Sequence, residues 1–474
     1  MTNENEMWVA AFGPDATGAT AEDRARTSKR SFVRSMDQLA EDHPLAKGRR
    51  LTAFEALTAY GMDNLLQVAS EGSTLLAANP TAAGRVLRER RERLNLSARS
   101  VAARARLELR VVEQAELSAR LPIREYERIA RALGLDERFI SFSAHAVGGD
   151  DLAVRLRAMG DERPRMTHSA VAAIAEAAWV AMTQIRLETD LGVRPPDTGL
   201  HVSSNYGHPG YPAYRHGYFL AGDARKKLAL GEGPLPCALR TICEDRLGIP
   251  LVQAELGDAI AGATVEVAGR RAVVVNLAGR NADVYIRRST IAHELGHLLY
   301  DSTARLDALR VDDYEELERP ADQVTDYVEQ RANAFSVEFI APQCQVLECY
   351  RKASADPVGA VMDRFGVSFT VARYQIWNGH ERKIPLESLT TKTCHPDPRF
   401  EAIEAFTAYY HPIKGLSVMR AGRFSAIVLR AAEDRILSWD SAAELLGCSE
   451  LDVRQAAGAI RELFPTVFMG PAQR

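Results

Sequence analysis

Cysteine is scarce: the 474 residues hold six, Cys237, Cys243, Cys344, Cys349, Cys394 and Cys448, with no C-x-x-C pair. That excludes a disulfide framework and leaves six reduced thiols as the expectation. No uninterrupted apolar run approaches the roughly 20 residues of a membrane-spanning helix. The opening MTNENEMWVAAFGPD has neither a basic start nor an apolar core, so no secretory signal is expected. A surplus of one charge sign is missing too. The formal net charge of -4 gives no global sign of nucleic-acid binding, so charge has to be read segment by segment. These absences point to a cytoplasmic protein without membrane attachment. What is present is an ordinary globular balance, 46% hydrophobic and 26% charged, in a chain long enough for roughly two to four domains.

Along the chain, residues 1–45 are polar with little periodicity and predict a loose arm, with a short helix following from about Thr52 to Ala69. From Thr81 to about Phe142 the pattern is helical and rich in Arg, Ala and Leu. AVGGDD reads as a linker, and HSAVAAIAEAAWVAMTQIRLETDLG as a helix ending near Gly192 and Pro195-Pro196. Leu200–Phe219, with three glycines and His201, His208 and His216, suits a folded loop or a short irregular hairpin. Cys237–Leu247 predicts a helix, Leu251–Leu256 and Ala263–Val267 predict strands, and a turn at Ala268-Gly269-Arg270 leads into a strand at Ala272–Leu277. A helix over Arg288–Tyr300 follows.

That last helix carries the sharpest signal, His293-Glu294-Leu295-Gly296-His297, an H-E-x-x-H motif. Positions i and i+4 share one helix face, so both imidazoles can reach one ion, while Glu294 can approach the water that the ion activates. A catalytic zinc site takes three protein ligands and leaves a position open. Glu329, at the start of the helical pattern in TDYVEQRANAFSVEFIAP, is the leading candidate, and spacing alone leaves Asp322, Asp326 and Glu338 in play. Zinc follows from ligand type, with manganese as the substitute. Glu294 would be the proton-transferring base. Tyr300 and Tyr327 are the oxyanion candidates, and the hairpin ending at Leu277 could pair with an extended substrate by strand addition. His201, His208 and His216 are candidates to line the cleft, but they, like His380, His395 and His411, read as plain loop histidines.

HELGHLLYD followed by E-Q-R-A-N-A-F-S-V-E-F-I-A-P resembles the ImmA/IrrE family of metallopeptidases. The matching residues are His293, Glu294 and His297, then Glu329, Ala332, Asn333, Phe335 and Pro342, with Ser336 and Ala341 as departures from the usual Ala and Met. The resemblance implies Glu329 as the third ligand. It also implies a role for PVGAVMDRFGVSFTVARYQIWNG as a helix–turn–helix-shaped segment that completes the peptidase domain. It covers roughly residues 225–380.

A second resemblance lies upstream. The segment from Ala83 to Leu135 resembles the Cro/repressor-type helix–turn–helix family at Gly84, Leu87, Arg91, Leu96-Ser97, Val101-Ala102, Leu107, Val112, Glu116, Pro122, Ile129-Ala130 and Leu133-Gly134. Arg106 stands where Gly is usual. Ser97 would cap the second helix, and Glu108–Leu117 would be the recognition helix. Nine arginines between Arg85 and Arg110 face only Glu89, Glu92 and Glu108, an excess that fits phosphate contact. Arg99, Arg106, Arg110 and Gln114 are the candidate DNA contacts. The C-terminal DRILSWDSAAELLGCSELDVRQAAGAIRELFP reads as two helices broken at Gly447-Cys448-Ser449, suited to packing or partner contact.

The fold expectation is therefore α+β: a zincin-like metallopeptidase domain over 150–384, behind an arm at 1–80 and an all-α helix–turn–helix module at 81–147. An α-rich C-terminal accessory domain at 385–474 follows. The expected function is zinc-dependent cleavage of a partner protein, a helix–turn–helix repressor controlling a stress, mobile-element or defence operon. A DNA-binding regulator with a peptidase-like sensor, and an antitoxin-like or phage-type binder acting without cleavage, are the alternatives. DNA binding through 81–147 and a homodimer are compatible with each.

Overall fold

The computed structural model describes residues 2–76, 81–139, 166–196, 198, 200, 212–267, 270–301, 309–313, 326–393, 395–404 and 411–469. The chain folds as two units, Met1–Val193 with Thr407–Arg474, and Arg194–Phe406. This division differs from the expected boundaries. Helix His168–Asp190 belongs to the first unit, residues 385–404 to the second, and the C-terminal helices join the N-terminal region.

The first unit begins with order where a loose arm is expected. Helices Thr2–Phe12 and Ala21–Thr27 precede β1 (Ser31–Arg34), β2 (Gln38–Glu41) and β3 (Arg49–Thr52), and β4 (Ser73–Leu75) completes an antiparallel sheet of order β3-β1-β2-β4. Polar composition hid these strands because they are only three or four residues long, too short to show alternation. The expected helix spans Ala53–Glu71, started by a capping box between Thr52 and Glu55 and ended by Gly72 in the left-handed region.

Four short helices follow: Ala82–Arg93, Ala98–Ala105, Leu109–Glu116 and Ile123–Ala132. Ser97 caps the second, and Arg106 takes the left-handed turn (φ 54°) at the position where glycine is usual. His168–Asp190 is the core helix of this unit, with Trp179 fully buried. By mean hydropathy it is long and apolar enough to cross a membrane, although no uninterrupted apolar run reaches that length. The protein itself buries 89% of its apolar window.

At the other end of the chain, Trp439–Leu446 and Glu450–Leu463 are separated by left-handed Gly447 and the capping box of Ser449 and Asp452, where the break was expected. Reciprocal charges bind these distant segments. Arg49 pairs with Glu127 at 2.9 Å and donates to Ser441 Oγ at 3.1 Å. Arg124 reaches Asp440 and Glu444, each at 2.7 Å.

In the second unit, β5 (Leu251–Ala254) runs parallel to β7 (Arg270–Asn276). β6 (Ile260–Val267) is antiparallel to both β7 and β8 (Leu309–Asp313), giving the order β5-β7-β6-β8. The expected hairpin of β6 and β7 is present. β8 was not expected, and it lies on the outer edge of β6, so the hairpin is flanked on both sides and its expected open edge for a substrate is occupied by the chain itself.

The sheet packs on helix Val284–Tyr300, which begins four residues before the expected Arg288 because Asp283 caps it, accepting from Tyr285 N and Ile286 N. Beneath lie helices Ala213–Lys227 and Tyr327–Ile340, then Gln343–Lys352, Pro357–Phe365 and Phe369–Gly379, whose Val358, Val361, Phe365, Ala372 and Ile376 enter the core. Part of the expected loop Leu200–Phe219 is therefore helix from Ala213 onward; His201 and His208 lie outside the described residues.

Candidate metal centre

Two glycines set the distances between the helices that build the centre. A Cβ at Gly296, inside the H-E-x-x-H motif, would stand 3.0 Å from Phe335 Cδ1 and 3.4 Å from Ala332 Cα, so its absence lets helix Tyr327–Ile340 lie close against the motif. At Gly217 a Cβ would meet Arg331 O at 2.4 Å, and helix Ala213–Lys227 presses on the other side of the same helix. Val328, Ala332, Phe335 and Phe339 are all buried, as their spacing predicts.

That approach delivers Glu329 to the two histidines. Nε2 of His293 and Nε2 of His297 are 2.9 Å apart, and Glu329 Oε2 lies 3.5 and 3.7 Å from them. One ligand atom from each of the three residues falls within 4.8 Å of the others. The histidines are buried, and the Glu329 side chain is 19% exposed, which leaves one side of the cluster accessible. Burial pushes the Glu329 carboxyl up, and the imidazoles beside it outweigh that and hold it well below the usual carboxylate range.

The other carboxylates considered for this role lie elsewhere. Asp326 caps the helix by accepting from Val328 N at 2.8 Å, Glu338 accepts from Gln343 N and Gln375 Nε2, and Asp322 is outside the described residues. Burial pushes the Glu338 carboxyl up to about 7.

The surrounding groups orient the ligands. His297 Nδ1 donates to Asp301 Oδ2 at 2.6 Å, which turns the lone pair of Nε2 toward His293 and Glu329. Asp301 also pairs with Arg331, two residues beyond Glu329, so the loop after one ligand helix is tied to the other. Burial raises the Asp301 carboxyl, and its bonds from His297 and Arg331 more than offset this, keeping it an acceptor. Asp301 has no site role in the sequence reading, yet its place four residues after His297, directly past the predicted helix, was the available signal.

Glu294 is fully buried, and its Oε2 accepts from Thr264 Oγ1 of β6 at 2.7 Å. A Cβ at Gly262 would lie 3.0 Å from Val274 O and 3.3 Å from Glu294 Oε1, so the glycine lets β6 pass close to the Glu294 carboxylate. No local motif marks Thr264 or Gly262, because their role arises from sheet packing.

Two imidazole nitrogens and one carboxylate oxygen, converging from two helices with a carboxylate behind one imidazole, fit a divalent transition metal of the zinc type. The oxyanion candidates fare differently. Tyr300 Oη donates to Leu220 O at 3.2 Å within the core, and Tyr327 Oη contacts His216 Nδ1 at 3.1 Å. Tyr300 is thus committed away from the site. His411 contacts Ser425 Oγ at 2.9 Å and accepts from Ile413 N, a structural arrangement.

The candidate DNA contacts are surface residues: Arg99, Arg106, Arg110 and Gln114 are all exposed. Part of the arginine excess is internal, however. Arg91 forms a two-bond pair with Glu116, Arg90 donates from the interior to Leu133 O, and Arg104 pairs with Glu176. Six exposed arginines, Arg85, Arg88, Arg93, Arg99, Arg106 and Arg110, remain with Glu89, Glu92 and Glu108.

No curated protein matches the chain. Residues 245–376, less than a third of the chain but including His293, Glu294, His297 and Glu329, match the model of the peptidase M78 family, described as the IrrE N-terminal-like domain.

Proposed function

We propose that the protein is a zinc-dependent endopeptidase whose metal is held by His293, His297 and Glu329 and whose base is Glu294. The convergence of His293 Nε2, His297 Nε2 and Glu329 Oε2 beside buried Glu294 carries this reading, and the peptidase M78 match over the same residues supports it. A divalent ion in this set supplies Lewis acidity, polarising a carbonyl and acidifying water near neutral pH. Glu294 takes the proton of the attacking water and returns it to the leaving amine, while Thr264 fixes the carboxylate through Oε2. Asp301 holds His297 in its ligating tautomer. The substrate is a partner protein, a helix–turn–helix repressor whose cleavage releases a stress, mobile-element or defence operon in the cytoplasm.

The test compares protein N-termini in cells making the native chain or Glu294→Gln, with zinc content measured on both. New termini confined to the native chain, at equal zinc, support the peptidase. Identical termini in both shift the reading to a regulator or binder.

The exposed arginines favour a second role in the same chain, DNA binding through residues 81–147. Replacing Arg99, Arg106 and Arg110 together by Ala tests it: duplex affinity should fall and its salt dependence flatten, and unchanged binding rejects the role.

A further inference from the structure

Strand β6 crosses the catalytic base directly, with Thr264 bonded to Glu294 and Gly262 against its other oxygen. Such a strand has two edges. β7 fills one, from Gly262↔Val275 to Val267↔Arg270. β8 fills the other, antiparallel, with Gly262↔Asp312, Ala263↔Val311, Thr264↔Arg310 and Val265↔Leu309. Residues 310–312 therefore lie opposite the same β6 residues that flank Glu294. An extended, antiparallel segment on the strand beside the base is the geometry in which a peptide is received by strand addition.

The occupant is short and separately tethered. β8 has five residues, and its ladder is interrupted by a register shift between Ile260 and Gly262. It belongs to the connection between the two ligand helices, whose flanks are anchored without it. Asp301 is held by His297 and Arg331, and Asp326 caps its helix. Release of β8 would leave the ligand set in place.

We propose that Leu309–Asp313 occupies the substrate edge of β6, so that the chain keeps its own peptide-binding edge filled until an extended protein segment displaces it. The inference rests on the peptidase reading, and it identifies the substrate form as an unfolded or extended segment rather than a helix.

Two variants test it with unfolded β-casein as the probe. Neighbouring residues of a strand point their N–H groups alternately, so Arg310→Pro with Val311→Pro removes a ladder donor whichever phase β8 adopts. At unchanged zinc content this variant should cleave β-casein with kcat/KM raised about tenfold, mainly through KM, as expected when a competing closed state is removed. In a Glu294→Gln background it should bind β-casein correspondingly tighter. The second variant, Ala263→Cys with Val311→Cys, places cysteines at directly opposed positions. Oxidation should abolish β-casein binding and reduction restore it. Equal or weaker binding by the proline variant, or undiminished binding by the oxidised pair, overturns the proposal. Absence of cleavage by every chain rejects the peptidase reading, and the binding arms still decide who occupies the edge.

Discussion

Each unit holds a buried polar cluster, and the two clusters are built differently. In Met1–Val193 with Thr407–Arg474, buried charges close on one another. Arg49, Arg131, Glu127 and Glu444 pair within 2.9–3.5 Å, and Glu176 receives both Arg104 and Arg420. In Arg194–Phe406, three side chains turn acceptor atoms toward one point, and the balancing groups, Asp301 and Arg331, stand behind them. The first arrangement sets its buried charges against opposite charges of its own side chains; the second is chemically disposed to take a cation. Burial of charge alone therefore separates nothing. The direction in which lone pairs and N–H groups face does.

Substitutions can sharpen this contrast. The largest effect is expected from Glu294→Gln, which should lower peptidase kcat by roughly 10²–10⁴-fold with zinc content and thermal stability unchanged. Next, Glu127→Ala leaves Arg49 and Arg131 buried without that carboxylate, and should destabilise the first unit by about 3–5 kcal/mol in a denaturant titration. Bound metal should stay constant. Asp301→Ala should do the reverse, weakening metal affinity by roughly 10–100-fold, read by competition with a chelator. A result in which Glu127→Ala lost metal as Asp301→Ala does would erase the distinction between the clusters.

Smaller effects are expected from packing and from protons. Gly296→Ala forces a Cβ toward the Phe335 ring and should cost about 1–3 kcal/mol, with metal affinity falling because Glu329 moves with its helix. Glu338 is the one to follow with pH. Its carboxyl is raised by burial from 4.5 to about 7, against hydrogen bonds from Gln343 and Gln375 and the nearby Arg225. The folded state thus favours the protonated acid, so this stability is full below about pH 4.5 and is lost as pH rises through about 7. Glu338→Gln should flatten the melting temperature over that window, and an unchanged slope would remove Glu338 as its source.

Legibility followed the range of the interaction. The gathering of His293, His297 and Glu329 was readable because helical spacing fixes their faces locally, and the same holds for the Ser97 cap. The N-terminal sheet was missed because its strands of three or four residues depend on partners far along the chain, such as Arg49 with Ser441. β8 and the contacts of Gly262 and Thr264 with Glu294 were missed for the same reason, since nothing beside them in sequence signals these long-range partners. The arginine density around residues 85–110 gave a surface reading that was too simple, because pairs such as Arg91 with Glu116 direct part of it inward. Domain edges were the least legible feature, since they depend on which helices pack together and not on linker composition.

The insertion of the second unit's sequence between the two parts of the first sets an order of events during synthesis. Residues 194–406 leave the ribosome before 407–474, so the second unit can mature while the first still lacks Ser441, Glu444 and the rest of its closing helices. Until then Arg49 and Arg131 wait without those C-terminal partners, and the apolar helix His168–Asp190 lacks the cover of Phe424 on Trp179. A nascent chain that has exposed residues 194–406 would thus hold the second unit complete while the first still lacks its closing helices.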